Sequence, residues 1–341
     1  MSAQLTIIIP TRNHASYISA IAERTETLPD WLTVHVLDSS DDEDTHRVVE
    51  TQRLKGWTYE RVPTEWTADR KTIYALSSFR SEYGWVVGDG CIPDWPALSG
   101  WLRPMLEAGW DCIHLLNTDA HDIRKYLKKT AWNGDKTYTD SVQLFNDFFW
   151  TLTFLGATLV NRPTAQAICT LDTLSKYMDS GFAMPCALLE ALSRRKFKAV
   201  AAARHYYWPN PEKKESIWMK DIHVLLEIWT RKMPAAVNAL PAAFDERKAD
   251  VIGTVCLYNN YLSRRGLIRW RGMNGLDTGV EREYENDLLK TTNVDVNELR
   301  RIAGMPKGVC KMVFLPFYVW NALKRHKNRI PENRKKDGNQ K

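Results

Sequence analysis

The chain lacks the usual marks of a secreted or membrane-spanning protein. Its 341 residues include six cysteines, and none of them lies in a Cys-x-x-Cys pair, so neither a disulfide framework nor a zinc site is expected. No apolar run reaches the roughly 18 residues that a spanning helix needs. The opening Met-Ser-Ala-Gln has no basic stretch and no cleavage site, which predicts no signal peptide. These absences favour a cytoplasmic protein with reduced, mostly buried thiols.

Excess positive charge is also missing from most of the chain. The net charge is +6, and residues 324–341 alone carry eight Lys/Arg against two Asp/Glu. Residues 1–323 therefore hold 39 charges of each sign and are neutral. A function inferred from the net positive charge of the chain therefore applies to residues 324–341 only.

An apolar and aromatic segment, Val313–Trp320, precedes this basic tail. Trp and Tyr favour the headgroup level of a bilayer, and each basic residue near an anionic surface contributes about 1 kcal/mol. The tail therefore predicts peripheral binding to an anionic membrane surface, on the inner face of the plasma membrane. A core-packed helix followed by a solubilising tail is the alternative. Nucleic-acid binding is disfavoured, because the aromatic residues do not interleave with the charges.

Short apolar segments alternate with helical patterns through residue 120. Such alternation is typical of an α/β domain with a mainly parallel sheet flanked by helices. The predicted strands are Ile7–Ile9, Leu32–Leu37, Trp57–Arg61, Trp85–Val87 and Asp111–Leu116, and the predicted helices are Ser16–Thr27, Ala68–Phe79 and Pro96–Glu107.

The second half of the chain predicts a change of architecture. The apolar run at 147–160 is too short to span a membrane and indicates a buried strand or helix. A helix is predicted at Cys186–Lys196 and an edge strand at Ala199–Ala203. The Trp-Pro-Asn-Pro sequence ending at Pro211 marks a boundary, and helical spacing follows it. The predicted units are residues 1–210, a helical extension at 211–305 and a membrane-proximal tail at 306–341.

Polar groups follow three of the predicted strands. The first strand runs into Pro-Thr-Arg-Asn, the second ends in Asp-Ser-Ser, and the strand at Trp85–Val87 ends in Gly-Asp-Gly. Parallel strands that deliver polar groups at their carboxyl ends form a ligand crevice. Any one of these endings could be an ordinary loop or a helix cap, but the three occur in order.

In this order and spacing the three motifs resemble those of inverting GT-A glycosyltransferases of the family 2 type. The resemblance covers about residues 5–205. It implies a Rossmann-like GT-A domain that binds a nucleotide-sugar donor, with UDP the expected nucleotide. The implied donor contacts are Pro10, Thr11, Asn13, Asp38, Ser39, Asp69, Lys71, Gly88 and Asp89.

The resemblance assigns different roles to these donor contacts. The first loop would line the nucleotide pocket, and Asp38 would accept from a base N–H, as an acceptor-only carboxylate does well. Asp69 would contact base and ribose, with Arg70 or Lys71 beside it. Asp89 would hold the ribose or a metal that bridges the diphosphate.

Half of the family's metal motif is missing. An acid is expected at position 91, where this chain has Cys91. Because Mg²⁺ accepts few protein ligands when phosphates and water complete its shell, Mg²⁺ or Mn²⁺ remains the expected cofactor, with Asp89 as its ligand. His205 follows the last strand and is a second candidate ligand, or else a structural residue beside two tyrosines.

The family resemblance places the general base in the stretch that precedes the predicted helix at Cys186–Lys196. Inversion needs a carboxylate to deprotonate the acceptor hydroxyl, and the family supplies it from a Glu-Asp pair. Here Asp179 is the only carboxylate in the corresponding stretch, although Asp-Ser-Gly is also turn chemistry. Glu190 is interpreted as a solvated residue of the following helix, and Asp147 is a distant third candidate.

The resulting hypothesis is an inverting glycosyltransferase that moves a sugar to a cell-surface glycan or polyprenyl-linked acceptor. The main alternative is a catalytically weakened, membrane-tethered scaffold, which the incomplete acidic motifs would explain. A nucleotidyltransferase would usually have a Gly-rich first loop, and Pro10–Asn13 is not one. The sequence does not identify the sugar or the acceptor. It also leaves the oligomeric state open, and a homo-oligomer is one possibility.

Overall fold

The computed structural model describes residues 4–25, 28–52, 55–117, 134–212, 221–259, 261–273 and 275–313. In these ranges an eight-stranded, mostly parallel sheet is flanked by helices and is followed along the chain by further helices. The predicted α/β class and the helical extension are confirmed. No helix of the described ranges is both long and apolar enough to cross a bilayer.

The main sheet has the strand order β3-β2-β1-β4-β8-β6-β9-β7. The β1–β2, β1–β4, β2–β3 and β6–β9 ladders are parallel, and β8 and β7 pair antiparallel to their neighbours. The strands of this sheet are β1 (Leu5–Thr11), β2 (Leu32–Asp38), β3 (Trp57–Arg61), β4 (Tyr83–Val86), β6 (Cys112–Leu116), β7 (Asp135–Tyr138), β8 (Thr158–Asn161) and β9 (Ala199–Ala203).

The chain direction across the sheet reverses beside β1. From β1 the chain moves outward to β2 and β3, and it then returns to place β4 on the other side of β1. Ile7, Ile8 and Ile9 are buried, as the continuous apolar run of a strand covered on both faces requires. A reversal of this kind opens a crevice at the carboxyl ends of the central strands.

Helices cover both faces of the sheet and form the region after it. The helices of the sheet domain are α1 (Ala15–Glu23), α2 (Asp44–Gln52), α3 (Ala68–Ser78), α4 (Trp95–Glu107), α5 (Ser141–Leu152), α6 (Arg162–Cys169) and α7 (Ala183–Ser193). Those after it are α8 (Ile222–Leu226), a π-helical segment (Glu227–Lys232), α9 (Met233–Asn238), α10 (Asp245–Asn259), α11 (Arg264–Gly272), α12 (Thr278–Thr291) and α13 (Val296–Gly304).

A small second sheet lies next to the crevice. Its strands β5 (Cys91–Pro93) and β10 (Tyr207–Pro209) pair antiparallel. The side chain of Asn210 donates to the carbonyl of Asp89 at 2.9 Å and to that of Tyr17 at 3.0 Å. The end of the sheet domain is thereby fastened to the loop after β4.

Two sequence-based predictions of elements were wrong. Ala199–Ala203 is no edge strand, because β7 pairs with it on its outer side. The sequence of β7, Asp-Lys-Thr-Tyr, is mostly polar and exposed, so it carries no apolar strand pattern. The run at 147–160 is neither one strand nor one helix. It contains the end of α5 and the start of β8, and Gly156 turns between them at a φ of 104°.

The interpretation of Glu190 as a solvated residue was also wrong. Its side chain is 1% exposed and lies at the centre of a polar network. It accepts hydrogen bonds from the hydroxyls of Thr173 and Tyr177, and it pairs with Lys176 at 2.9 Å and with Arg194. Burial acts to raise the pKa of Glu190, but these hydrogen bonds outweigh it and lower the pKa to about 2.

We expect Glu190→Gln to lower the free energy of unfolding by about 2 kcal/mol at pH 7. This is below the usual loss for a broken buried pair, because Lys176 and Arg194 are partly exposed and rehydrate. A carboxyl with a lowered native pKa stabilises fully above its unfolded pKa and loses that contribution as pH falls towards 2. Urea unfolding of both proteins should therefore show a difference that narrows between pH 5 and pH 2. A difference that stays constant with pH would contradict this account.

Candidate functional site

The ends of β1 and β2 lie side by side at the crevice. Their parallel register sets Thr11 opposite Asp38, and Pro10 opposite Leu37. The main-chain N–H of Ser39 donates to the carbonyl of Thr11 at 3.1 Å. The structure thus brings the first two sequence motifs together at one sheet edge, as predicted for parallel strands.

Asn13 joins the two loops through its backbone and side chain. Its N–H donates to Oγ of Ser40 at 2.7 Å, and its side-chain amide donates to Asp41 at 2.8 Å. The N–H of Asp41 returns a bond to Oδ1 of Asn13 at 2.9 Å. Asn13 has a φ of 55°, a left-handed conformation that asparagine tolerates better than most residues. The hydrogen bond from Asn13 lowers the pKa of Asp41, which favours the ionised form of the Asp41 carboxylate.

Asp38 is fully buried beneath these loops. One oxygen accepts from the N–H of Ser40 at 2.9 Å and from its hydroxyl, and the other accepts from the hydroxyl of Tyr59 at 2.9 Å. Burial raises the pKa of Tyr59 to about 12, so the phenol remains a donor. In this structure Asp38 shapes the loop after β2, and its contact with a nucleobase stays a prediction.

Lys71 extends from α3 to the floor of the crevice. Its ammonium donates to Oγ of Ser39 at 2.9 Å and to the carbonyl of Thr11 at 3.2 Å. Burial lowers the pKa of Lys71, whereas the charge of Asp89 acts in the opposite sense. A buried cation between two strand ends is well placed for an anionic ligand, because it lies where water is already excluded.

Asp89 follows β4 and closes the crevice from the third side. Its Oδ2 accepts from the hydroxyl of Thr11 at 2.8 Å and lies 2.8 Å from Nδ1 of His14. Gly88, immediately before it, has only the side chain of Leu155 close to the position of a Cβ, at 3.6 Å. The three motifs predicted to form one pocket are therefore in direct contact, through Thr11, Asp89 and Lys71.

His205 is held by different partners. Its Nε2 lies 3.1 Å from Oδ2 of Asp94, and its ring packs on Trp208 at 4.1 Å between centroids. The indole N–H of Trp208 donates to the same Asp94 oxygen at 2.9 Å. The structure thus engages His205 with Asp94 beside the small sheet, and its role as a metal ligand stays a prediction.

Of the two predicted metal ligands, Asp89 is the one that contacts the strand-end motifs within the described residues. Cys91 is buried in β5, and no three His, Cys, Asp or Glu residues of the described ranges are grouped to hold an ion. Mg²⁺ and Mn²⁺ are commonly held by one or two carboxylates while substrate phosphates and water supply the other ligands. The residues present fit an ion completed by a diphosphate, but they do not form a cage of protein ligands.

Asp179 lies in a strained turn before α7. Its φ of 62° is left-handed, and Gly181 follows with a φ of 83°. Non-glycine residues in this region cost free energy and cluster at functional sites. Two described residues of the helical extension contact the turn: the ammonium of Lys232 donates to the carbonyl of Asp179 at 3.3 Å, and Trp229 packs edge-on against Phe182. Both contacts come from the π-helical segment, a distortion frequent at functional sites.

Asp69 fastens the same turn from inside the sheet domain. Its carboxylate accepts from the N–H of Gly181 at 2.8 Å and from the N–H of Ala183 at 3.3 Å. It therefore caps the start of α7, where backbone N–H groups lack helical partners. Burial raises the pKa of Asp69, with the nearby charge of Asp179 acting in the same sense. Its contact with base and ribose stays a prediction.

A cavity of about 100 Å³ separates the Asp69–Gly181 contact from the loop after α5. Its walls include Thr72 of α3, Val86 at the end of β4, and Met184 of α7. It therefore lies between the strand that leads to Asp89 and the turn that carries Asp179.

If Asp69 holds the turn, and if Asp179 is the general base that the sequence predicts, Asp69→Ala should lower turnover far more than donor affinity. Loss of a helix-capping carboxylate costs about 1 kcal/mol of stability, and a loosened turn misplaces Asp179. We expect kcat for donor hydrolysis to fall about 100-fold, with the Kd for UDP within twofold of that of the parent protein. A matched control is Asp140→Ala, which removes the cap of α5. A large rise in the Kd for UDP would instead support the nucleotide contact predicted for Asp69.

Several residues of this site escaped the sequence analysis. His14 directly follows the first motif, and Asp41 directly follows the second, but neither was predicted as a site residue. Tyr59 and Lys232 reach the site from elements far along the chain. Their partners lie 21 and 53 residues away, and no local pattern reports contacts at that separation.

Comparison with known proteins gives similarity of fold only. No family model and no curated protein matches the chain. Among solved structures, S. aureus TarS 1-349 in complex with UDP-GlcNAc has a TM-score of 0.54 and 13% identity, covering 89% of this chain and 90% of that one. Mannosyltransferase PcManGT from Pyrobaculum calidifontis, in complex with GDP-Man and Mn²⁺, has a TM-score of 0.50 and 14% identity, covering 95% and 85%. The chain has a GT-A-like fold.

Proposed function

We propose that this protein is a glycosyltransferase that moves a sugar from a nucleotide-diphosphate donor, UDP first among them, with inversion. The observation that carries the proposal is the contact of three strand-end motifs in one crevice: Thr11 and Asp38 in register, and Asp89 hydrogen bonded to Thr11. The similar fold of proteins solved with UDP-GlcNAc and GDP-Man supports it.

Donor binding follows from the charges and hydrogen-bonding groups of the crevice. The buried ammonium of Lys71 would attract the diphosphate, and the loops joined by Asn13 would receive the base. Asp89 would hold Mg²⁺ or Mn²⁺, and such an ion would supply Lewis-acid neutralisation of charge on the departing nucleotide.

The transfer step is a single displacement. The acceptor oxygen forms a bond to the anomeric carbon while the bond from that carbon to the phosphate oxygen breaks, and the nucleoside diphosphate leaves. Asp179 takes the proton of the acceptor hydroxyl. Asp69 and Lys232 keep the Asp179 turn in position through the backbone, so the carboxylate is oriented before the acceptor arrives.

The simplest test is thermal unfolding with nucleotides. At 100 times the Kd, a ligand that binds only the folded state adds about 2.7 kcal/mol of stability. We expect UDP with Mn²⁺ to raise the Tm by several degrees and adenosine diphosphate to raise it less. Failure of every nucleoside diphosphate to stabilise the protein, with or without metal, would refute the proposal.

The acceptor is proposed to be a glycan precursor carried at a membrane surface, on the cytoplasmic side. Residues 307–313 are helical, and Met312 and Val313 are 65% and 56% exposed just before the aromatic and basic segment of the sequence. The segment at 314–341, which carries the predicted basic tail, lies outside the described residues. Exposed apolar groups beside a basic sequence favour an anionic bilayer.

Vesicle co-sedimentation tests this part of the proposal. The full chain should bind phosphatidylglycerol vesicles, bind phosphatidylcholine vesicles far less, and dissociate at about 1 M salt, where charge interactions are screened beyond about 3 Å. Met312→Asp should weaken binding, whereas Val224→Asp, at an exposed position of α8, should not. Equal binding to both lipids would contradict an electrostatic anchor.

A further inference from the structure

A second cavity lies in the helical extension, away from the three strand-end motifs. It has a volume of about 410 Å³, within the usual range of small-molecule sites. Four of its lining residues belong to α12 and one to α13. They are Thr278, Glu281, Arg282, Glu285 and Arg300. All five carry hydrogen-bonding side chains.

Glu281 is the unusual member of this set. It is only 3% exposed, and its Oε1 accepts no hydrogen bond within the described residues. The nearest cation is Arg300, whose Nε lies 3.9 Å from that oxygen and is engaged with Glu285 at 2.8 Å. Burial raises the pKa of Glu281, and the hydrogen bond that it shares with the carboxyl group of Glu285 acts in the same sense. No N–H group and no hydroxyl of the described residues donates to Oε1 of Glu281. A buried oxygen of this kind indicates that the cavity receives a ligand that donates to it.

The lining selects among ligand classes. A simple cation would satisfy Glu281 but would meet the guanidinium groups of Arg282 and Arg300. A simple anion would satisfy those groups but would leave Oε1 of Glu281 without a donor. A sugar hydroxyl both donates and accepts, so adjacent hydroxyls of one ring satisfy both kinds of group. The lining residues that the structure describes include no large apolar side chain, which also favours a hydrophilic ligand.

The cavity is connected to the Asp179 turn by one helix and one ion pair. Asp287 lies six residues after Glu281 on α12, which is about 9 Å along the axis. It pairs with Arg231 at 2.8 Å, and the next residue, Lys232, donates to the carbonyl of Asp179. A ligand in the cavity is therefore held by the same group of helices that contacts the proposed catalytic turn.

We propose that this cavity is a saccharide subsite that holds a remote sugar unit of the acceptor glycan. Because this identity as an acceptor subsite rests on the proposed function, binding is tested separately from catalysis. Glu281 accepts from one hydroxyl of the sugar, and Arg282 and Arg300 donate to its neighbours. An acceptor of several units would then be bound both here and at the turn.

The test is titration of the full chain with maltotetraose, cellotetraose, chitotetraose and mannotetraose. At least one should bind, and Glu281→Leu and Arg282→Ala should each weaken that binding by at least about tenfold, as loss of a charged hydrogen bond does. Arg282 is exposed, so its variant does not disturb the core. Glu283→Gln, an exposed neighbour outside the lining, should change binding less than twofold.

Three outcomes would overturn the proposal: no tetrasaccharide binds, binding is unchanged in both variants, or spermidine or inorganic phosphate binds there in place of sugar. UDP titration of the same proteins distinguishes failure of the saccharide-subsite proposal from failure of the glycosyltransferase proposal. Normal UDP binding with no saccharide binding refutes the subsite alone. Saccharide binding that depends on Glu281, with no UDP binding by any protein, refutes the glycosyltransferase and leaves a sugar-binding cavity.

Discussion

Asp179→Asn is expected to lower the rate of donor hydrolysis by about a thousandfold while the Kd for UDP stays within twofold. Removal of a general base costs about 10² to 10⁴ in rate, and an amide cannot take the proton of the attacking hydroxyl or water. Asparagine is the right replacement because it tolerates the left-handed φ of 62° that this position adopts. Alanine at this position would add backbone strain, so the loss of the carboxylate could not be separated from a change in the conformation of the turn.

The measurement is initial-rate hydrolysis of UDP-sugars, with water as the acceptor, together with calorimetric titration of UDP. Asp172→Asn is the matched control, since Asp172 is an exposed carboxylate close in sequence that pairs with Arg194. The control should retain full activity. If Asp179→Asn stays active, Asp179 is not the base. If it loses UDP affinity instead, the turn belongs to the donor pocket.

Asp89→Asn should have the opposite signature, a loss of donor affinity. Asp89 is the carboxylate that connects β4 to Thr11 and His14, and of the two predicted metal ligands it is the one seen in contact with the first motif within the described residues. Loss of a charged hydrogen-bond partner weakens binding by about 10- to 100-fold. The Kd for UDP should rise by at least that factor in Mn²⁺, and by less in chelator, because the metal contributes only when present.

Asp94→Asn provides the control for this experiment. Asp94 lies five residues further on and contacts His205 and Trp208. Its replacement should leave the Kd for UDP within twofold. If Asp94→Asn weakens UDP binding in Mn²⁺ as strongly as Asp89→Asn does, the metal site includes the His205 region. Equal affinity of Asp89→Asn and the parent protein would remove Asp89 from the site.

The parts of the fold that sequence predicted are those with local signals. Apolar runs such as Ile7–Ile9 and the polar residues that follow them indicated the parallel strands and their crevice. The polar strand β7 and the division of the run at 147–160 were not predicted, because their structure depends on pairing with distant strands. Glu190 was misinterpreted for a similar reason. A position on a helix does not reveal which face of the helix the rest of the chain will cover, and four partners around Glu190 satisfy its charge after burial.

The candidate site also combines residues with a local sequence signal and residues whose role depends on distant contacts. The motif residues Thr11, Asn13 and Asp89 were predicted, and they lie at one sheet edge. The residues that hold them could not be predicted, since Tyr59, Asn210 and Lys232 act across elements that only the folded chain brings near. Asp69 illustrates the limit best. Its sequence position suggested a nucleotide contact, whereas its hydrogen bonds in the structure join it to a turn 112 residues away.

The most direct test of the central claim is proton NMR of a panel of nucleotide-sugars incubated with the protein and Mn²⁺. The account predicts that at least one donor is consumed and that an α-linked donor releases the β-anomer of its sugar before mutarotation. Release of the α-anomer would contradict the single displacement. Consumption of no donor, by a protein that nonetheless binds UDP, would contradict catalysis and favour a scaffold that has kept only the donor pocket.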